Sequence, residues 1–378
     1  MPDERYVLLT GSKNNAGDYL IKHRAMALLR EYRKDRSVID YDGWKPLSDA
    51  QLEVVNSSKA LVLMGGPALQ FDMYPRIYPL RESLDDIRVP IICMGVGWKS
   101  HNGSWQNTHS YPLSDKTIEL LSRVEASGHS SSVRDYRTLN SLMSLGYKNF
   151  MMTGCPALYS IEHLNRPFAP PKQVKQVSFS LGVSMFKNRA MDRQAKELIF
   201  SLRDLFCDAN LTVVFHHSLS DEFLSVHAAQ SSFLESNRKF AQWLDANEIS
   251  YVDISGSAEN LISHYAEADL HIGYRVHAHI FMNSISRPSV LITEDGRGKS
   301  LKEVIGGLIL DGCNYREGSR LKRLLRRHLS GIVPVPVVKD TVLNLEYEMT
   351  HGYPRSAASR VVIDQNEQLM LGFIKQLP

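Results

Sequence analysis

Short apolar runs alternate with helix-period segments from one end of this chain to the other, and that rhythm restricts the fold more than any motif in it. In the first half the runs are YVLLTG, SVIDYD, ALVLMGG, VPIICMGVG, SSVRD and NFMMTG, with amphipathic stretches such as Asp18 to Lys34 and Asp135 to Leu145 between them. The second half repeats the pattern with VSFSLGVS, LTVVFHHS, ISYVDIS, DLHIGYR and PSVLIT. Strands that alternate with helices in this way form parallel sheets covered on both faces. Between the halves, HLNRPFAPPKQVKQ (163–176) carries three prolines and no periodicity, as an interdomain linker does. A chain of 378 residues also exceeds one ordinary core. The expected architecture is α/β, with two similar domains facing a cleft. They cover 1–162 and 177–338, and an extension at 339–378 ends in a helix over Ser359 to Gln376 that packs back on the body.

Composition removes several function classes. A formal net charge of +3 gives no support for nucleic-acid binding, which needs a concentrated basic stripe. The nearest candidate, RLKRLLRRH (320–328), has leucines at helical spacing and reads as a solvated helix face. None of Cys93, Cys155, Cys207 and Cys313 lies in a CxxC pair, a pattern that suits reduced thiols of a cytosolic protein. MPDERYVLLTG is too short and acidic for a signal peptide, and no apolar run approaches a membrane span. The expected location is the cytoplasm, with at most peripheral membrane contact.

The polar and glycine-rich residues fall just past the strand ends: Gly65-Gly66-Pro67, Gly95-Val96-Gly97, Arg134-Asp135, His216-His217, Arg275 with His277, and Glu294 to Lys299. In open α/β sheets ligands bind outside the carboxyl ends of the strands, so a site belongs there. Arg134 and Arg275 each stand between a strand and a helix, where a guanidinium can grip a carboxylate or phosphate at two points. A salt bridge, for Arg134 to Asp135, explains either one equally well. TGSKNNAGDYLI (10–21) is neither GxGxxG nor a P-loop. Asp18 in it either caps the first helix or meets hydroxyl groups of an acceptor. EDGRGKS (294–300) lacks the first glycine of a Walker loop, yet Arg297 and Lys299 can bring positive charge ahead of the next helix. The polar loop Gly97 to Pro112 holds Trp98, Trp105 and Tyr111, which serve as sugar platforms or pack locally. Neither His216-His217 nor His277 with His279 has metal-ligand spacing, and no metal is expected.

Taken in order, NNAGDYLI, LMGGP, PIICMGVGW, SSVRDYRTLNSLMSLGY, TGCPAL and, above all, IGYRVHAHIFMNSISRPSVLITEDGR resemble the polysaccharide pyruvyl transferase family, over roughly Val7 to Gly307. The resemblance implies a GT-B-like pair of Rossmann-like domains. It also implies transfer of the pyruvyl group of phosphoenolpyruvate onto a sugar, usually as a ketal, with no cofactor or metal. On it, Arg275 and His277 form the donor-site pair, Arg134 meets phosphoenolpyruvate from the other side, and His217 and Asp221 match a His and Asp of the family. Asn15 and Asp18, from NNAGD, fall on the acceptor side. A histidine titrates near neutrality, so His277 suits proton transfer, with Asp18 as a second base or hydroxyl ligand. The expected partners are phosphoenolpyruvate and a sugar acceptor; a lipid-linked carrier and a homo-oligomer stay open. Two rivals share the architecture: a nucleotide-sugar glycosyltransferase using Glu294 or Asp295, and a non-catalytic sugar-binding descendant, which would more naturally have lost Arg275 or His277.

Overall fold

A computed structural model describes residues 4–10, 15–221, 231–315 and 331–378. The basic stretch 320–328 lies outside them, as does much of the loop after the first strand. By contacts the chain divides into two units. The first holds the opening strand, Asp18–Asn165 and Val362–Pro378; the second holds, of the described residues, 15–17 and Arg166–Val361.

The first unit runs β1 (Arg5–Thr10), α1 (Ala16–Tyr32), β2 (Ser37–Asp42), α2 (Asp49–Ser57), β3 (Ala60–Met64), β4 (Ile91–Met94), α3 (Asp115–Glu125), β5 (Ser131–Val133), α4 (Tyr136–Ser144) and β6 (Phe150–Met152). Its main sheet has the order β2-β1-β3-β4, with every pair parallel. β5 and β6 form a parallel pair joined to it through a bridge between Val96 and Val133. The amides of Cys93 and Gly95 donate to the Ser131 and Ser132 hydroxyls, which is why a short polar SSV can stand in an apolar layer. All five residues of β3 are buried, as a parallel strand covered on both faces requires. Helix starts follow their caps: Ser48 and Gln51 close a capping box on α2, and Asp135 accepts from Thr138 N at α4.

The second unit runs β7 (Gln176–Ser180), α5 (Arg189–Leu205), β8 (Asn210–Phe215), α6 (Ser231–Ala246), β9 (Ser250–Asp253), α7 (Ala258–Glu267), β10 (Leu270–Gly273), α8 (Val276–Ser284), β11 (Ser289–Thr293), α9 (Gly296–Ile305) and β12 (Leu308–Asp311). An antiparallel hairpin of β13 (Cys313–Tyr315) and β14 (Ile332–Pro334) follows, then α10 (Val337–Thr350) and α11 (Pro354–Lys375). The six-stranded parallel sheet has the order β12-β11-β10-β7-β8-β9. Counted from β7 this is 3-2-1-4-5-6, the order of Rossmann domains, whose crevice opens where the order reverses, here between β7 and β10. α8 is buried from His277 to Ser284, so Ile280, Phe281 and Met282 each contribute about 1.5–3 kcal/mol of apolar burial.

β12 and the hairpin go beyond the strands expected from the sequence. β12 is only four residues and follows Gly306 and Gly307, both at positive φ, so its run is too short to stand out. The C-terminal helix is also divided. Its first turns count with the second unit, and from Val362 onward it belongs to the first. There Ile363, Met370, Phe373 and Ile374 are fully buried, Glu367 accepts from Tyr32 Oη at 3.0 Å, and Arg33 donates to Leu377 O at 2.6 Å. Among the described residues no helix is long and apolar enough to cross a membrane.

Candidate functional site

In the second unit the chain leaves β10 through Tyr274 and enters α8 with Arg275 as its N-cap. Arg275 is only 9% exposed. Its amide donates to Ser180 Oγ at 3.1 Å, its Nε to the carbonyl of Leu181, and its Nη2 lies 3.0 Å from His217 Nδ1. Burial pulls the guanidinium down to about 10, opposed by the charge of Glu294, so it stays a cation at neutral pH. The structure therefore brings two sequence candidates, Arg275 and His217, together at the switch point. His277 stands in the first turn of α8, largely buried. A Cβ on Gly17 would come within 2.1 Å of its Nδ1, so the glycine of NNAGD is required where the backbone meets that ring. Asn15 turns its Oδ1 toward Gly17 N at 3.3 Å.

The loop after β7 is fixed from β11. Glu294, buried, accepts from Val183 N at 2.8 Å and Ser184 N at 2.9 Å. Gly182 is needed there, since a Cβ would meet Glu294 Oε2 at 2.4 Å. Burial raises the Glu294 carboxyl, with Arg275 opposing. Asp295 caps α9 and holds the Arg297 guanidinium at 2.6 Å. Arg297, expected to bring positive charge ahead of this helix, has that charge met by the neighbouring carboxylate. Lys299 sits partly exposed in the first turns of α9. Asp221 pairs with Arg238 at 3.0 Å and is largely exposed.

In the first unit Arg134 follows β5 and is 8% exposed. Its ion pair to Asp135 is long at 3.5 Å, and Asp135 is already engaged by Thr138 N and Oγ1 at 2.8 and 2.9 Å. Among the described residues Nη2 of Arg134 is buried with no hydrogen-bond partner. Gly97 makes room for this side chain, because a Cβ there would lie 2.0 Å from Arg134 Nε. A buried guanidinium with unmet donors suits an anion.

The switch point of the first sheet, between β1 and β3, opens into a cavity of about 350 Å³. Asp18, Lys22, Trp44, Gly66, Lys99 and Tyr78 are among its walls. Asp18 thus lies where a ligand fits, and Lys22 beside it forms an ion pair with Asp40. Trp44 escaped the reading of the sequence, although it stands just past β2, where the strand-end rule would have found it.

Trp98 requires a correction. Of the two readings open for it, sugar platform or local packing, the structure takes the second: it is 1% exposed, its ring 5.4 Å from Tyr111 and its amide bonded to Thr138 Oγ1. A parallel bridge with Leu69 draws it into the core despite its polar neighbours. Trp105 is the exposed aromatic of that loop, with the Arg137 guanidinium over its ring at 5.5 Å. Among the described residues no group of three or more His, Cys, Asp or Glu is arranged to hold a metal.

A family model described as polysaccharide pyruvyl transferase matches residues 15–281. No curated protein matches the chain. Among solved structures, UDP-GlcNAc 2-epimerase from Neisseria meningitidis bound to UDP-GlcNAc is 9% identical with a TM-score of 0.50, over 97% of this chain and 99% of its own. A protein described as a UDP-N-acetylglucosamine 2-epimerase from Listeria monocytogenes is 8% identical with a TM-score of 0.51, over 99% and 96%. A TarM variant from S. aureus is 10% identical with a TM-score of 0.41 over 84% of this chain, which spans 55% of TarM's length. The two epimerase likenesses show the fold, a pair of Rossmann-like domains of the GT-B kind. With the family model matched from Asn15 through α8, the chain belongs to the polysaccharide pyruvyl transferase family, a family of transferases.

Proposed function

We propose that the protein transfers the pyruvyl group of phosphoenolpyruvate to a sugar of a polysaccharide or its precursor and leaves it as a ketal. The observation that carries this reading is Arg275: a buried, charged guanidinium at the end of β10, oriented by Leu181 O and His217. Phosphoenolpyruvate brings a carboxylate and a phosphate, and a fixed arginine matches either. Arg134, with its unmet Nη2, is the second cation we assign to donor binding.

In the reaction, one sugar hydroxyl adds to C2 of the enol phosphate as the methylene carbon gains a proton and becomes methyl. A second hydroxyl then displaces phosphate, and the two hydroxyl protons lost balance the proton gained and the one carried away. We assign proton transfer to His277 and acceptor hydroxyl binding, or a second base, to Asp18. The cavity beside Asp18 is large enough for a sugar, with Trp44 as an aromatic wall. The competing nucleotide-sugar reading needs a carboxylate for ribose. Glu294 is taken up by two amides and Asp295 by its cap and Arg297, which favours the pyruvyl reading.

Calorimetric titration with phosphoenolpyruvate and, separately, UDP tests the choice. Binding of phosphoenolpyruvate that is lost in Arg275→Ala supports the proposal. Binding of UDP without phosphoenolpyruvate overturns it in favour of a glycosyltransferase.

A further inference from the structure

His217 meets Arg275 through one ring nitrogen, and that contact decides which form the ring can take. Arg275 Nη2 lies 3.0 Å from His217 Nδ1. A guanidinium only donates, and this one remains charged at neutral pH, so Nδ1 has to accept. An imidazolium has no acceptor, and a neutral ring that accepts at Nδ1 carries its hydrogen on Nε2. The bond therefore exists in one form of the histidine alone: neutral, with Nδ1 bare. Such a ring has no nitrogen left to take a proton, and it would have to become an anion to give one.

Packing holds the ring in that position. It meets Phe233 of α6 edge to face, with centroids 5.2 Å apart and planes at 72°, and Phe233 meets Phe186 in the same way at 4.8 Å and 83°. One turn along α6 from Phe233, the buried Asn237 donates to the carbonyls of His217 and Ser218 at 3.5 and 3.4 Å. Backbone and ring of His217 are thus both tied to the helix that carries Phe233. Phe186 belongs to the segment after β7, whose Val183 and Ser184 amides Glu294 holds and whose Leu181 carbonyl takes Arg275 Nε. The contacts close on themselves, from Arg275 through His217, Phe233 and Phe186 back to Leu181. A guanidinium held by a carbonyl at Nε and by an imidazole at Nη2 cannot turn in its own plane.

We infer that His217 is a positioning residue: as a neutral acceptor at Nδ1 it fixes the Arg275 guanidinium so that the Nη1 end receives the anion, and it takes no part in proton transfer. That the anion is phosphoenolpyruvate rests on the function proposed above; the form of the ring does not.

The form is read from 15N chemical shifts of ring-labelled histidine in the full-length protein without ligand at neutral pH, with His217→Asn identifying the signal. The expected pattern is a bare Nδ1 and a hydrogen on Nε2. A hydrogen on Nδ1, in either the other tautomer or a doubly protonated ring, overturns the inference whatever the substrate. Calorimetric titration with phosphoenolpyruvate then reads the positioning. The Asn carbonyl oxygen can stand where Nδ1 stands, the Gln carbonyl reaches the place of Nε2, and Ala supplies neither. Folded His217→Ala and His217→Gln should bind roughly tenfold more weakly, the worth of a hydrogen bond to a charged group, while His217→Asn stays within about threefold of wild type. Rescue by Asn but not by Gln is a pattern that mere filling of space does not produce. Unchanged affinity in His217→Ala, or retention in Gln with loss in Asn, refutes the assignment to Nδ1. Failure of the wild-type protein to bind phosphoenolpyruvate counts against the proposed function, and the ring-nitrogen measurement still decides the form of His217.

Discussion

Arg134→Met should raise the stability of the first unit while removing donor binding, two effects of opposite sign from one side chain. The guanidinium is 8% exposed, its ion pair to Asp135 is 3.5 Å long, and Nη2 has no hydrogen-bond partner among the described residues. Asp135 loses little in the variant, because Thr138 N and Oγ1 hold it at the start of α4, where the helix dipole favours a carboxylate. Replacing a poorly compensated buried cation by an apolar side chain of similar length stabilises by about 1–4 kcal/mol; the surviving ion pair places this case at about 1–2 kcal/mol. For a unit of this size that is a rise of roughly 2–8 °C in the midpoint of its thermal transition. Loss of a charged partner to a bound anion costs about 2–5 kcal/mol, or roughly thirtyfold or more in affinity. Scanning calorimetry and titration with phosphoenolpyruvate on the same preparation read both numbers. A variant destabilised by more than about 1 kcal/mol would mean that Arg134 is a structural ion pair, and the reasoning fails.

Two further outcomes follow from the packing. His279, with its folded value near 3, stays neutral while the unfolded chain takes up a proton below about 6.5. The unfolded state then binds more protons, so stability is complete above pH 6.5 and falls as pH drops toward 3, by about 1.4 kcal/mol per pH unit for this ring alone. His216 and His271, shifted the same way, steepen the fall. Urea unfolding from pH 7 to 4.5 checks it, and a flat profile would show that these rings are protonated in the fold. The two tryptophans should separate cleanly. Trp98→Ala removes a core ring and should cost about 3–5 kcal/mol of stability, whereas Trp44→Ala, on the cavity wall, should leave stability nearly unchanged and weaken acceptor binding. The reverse result in denaturation and acceptor titration would return Trp98 to the site.

The strands were legible because the two periods differ so plainly: ALVLM and PSVLIT have no polar interruption, and helix patterns fill the intervals. Arg275 and Arg134 stood out for a related reason, as charges placed directly after apolar runs. What stayed hidden depends on partners distant in sequence. Trp98 sits among polar residues, and only its bridge to Leu69 and its contact with Tyr111 make it core. The pairing of Arg297 with Asp295 follows from the cap geometry that turns the carboxylate toward it, which the run EDGRGKS does not show. Nothing beside Gly97 or Gly182 in the sequence shows that each is the space another side chain occupies, Arg134 and Glu294 respectively. The buried hydrogen bonds that join Asn283, His279, Ser289, His271 and Ser180 gather residues from one helix and three strands, and no local spacing announces them.

The division of the C-terminal helix sets an order of assembly. The first unit is begun by β1 but lacks the surface against which Tyr32 and Arg33 close until residues beyond Val362 arrive. On a chain made from its N-terminus, the whole of the second unit emerges before that segment does. The unit that comes first in sequence is therefore the last to be finished, and until then it exposes the strip that Ile363, Met370 and Phe373 later cover. A fragment ending with the second unit would keep all of Arg166–Val361 and still leave its neighbour open.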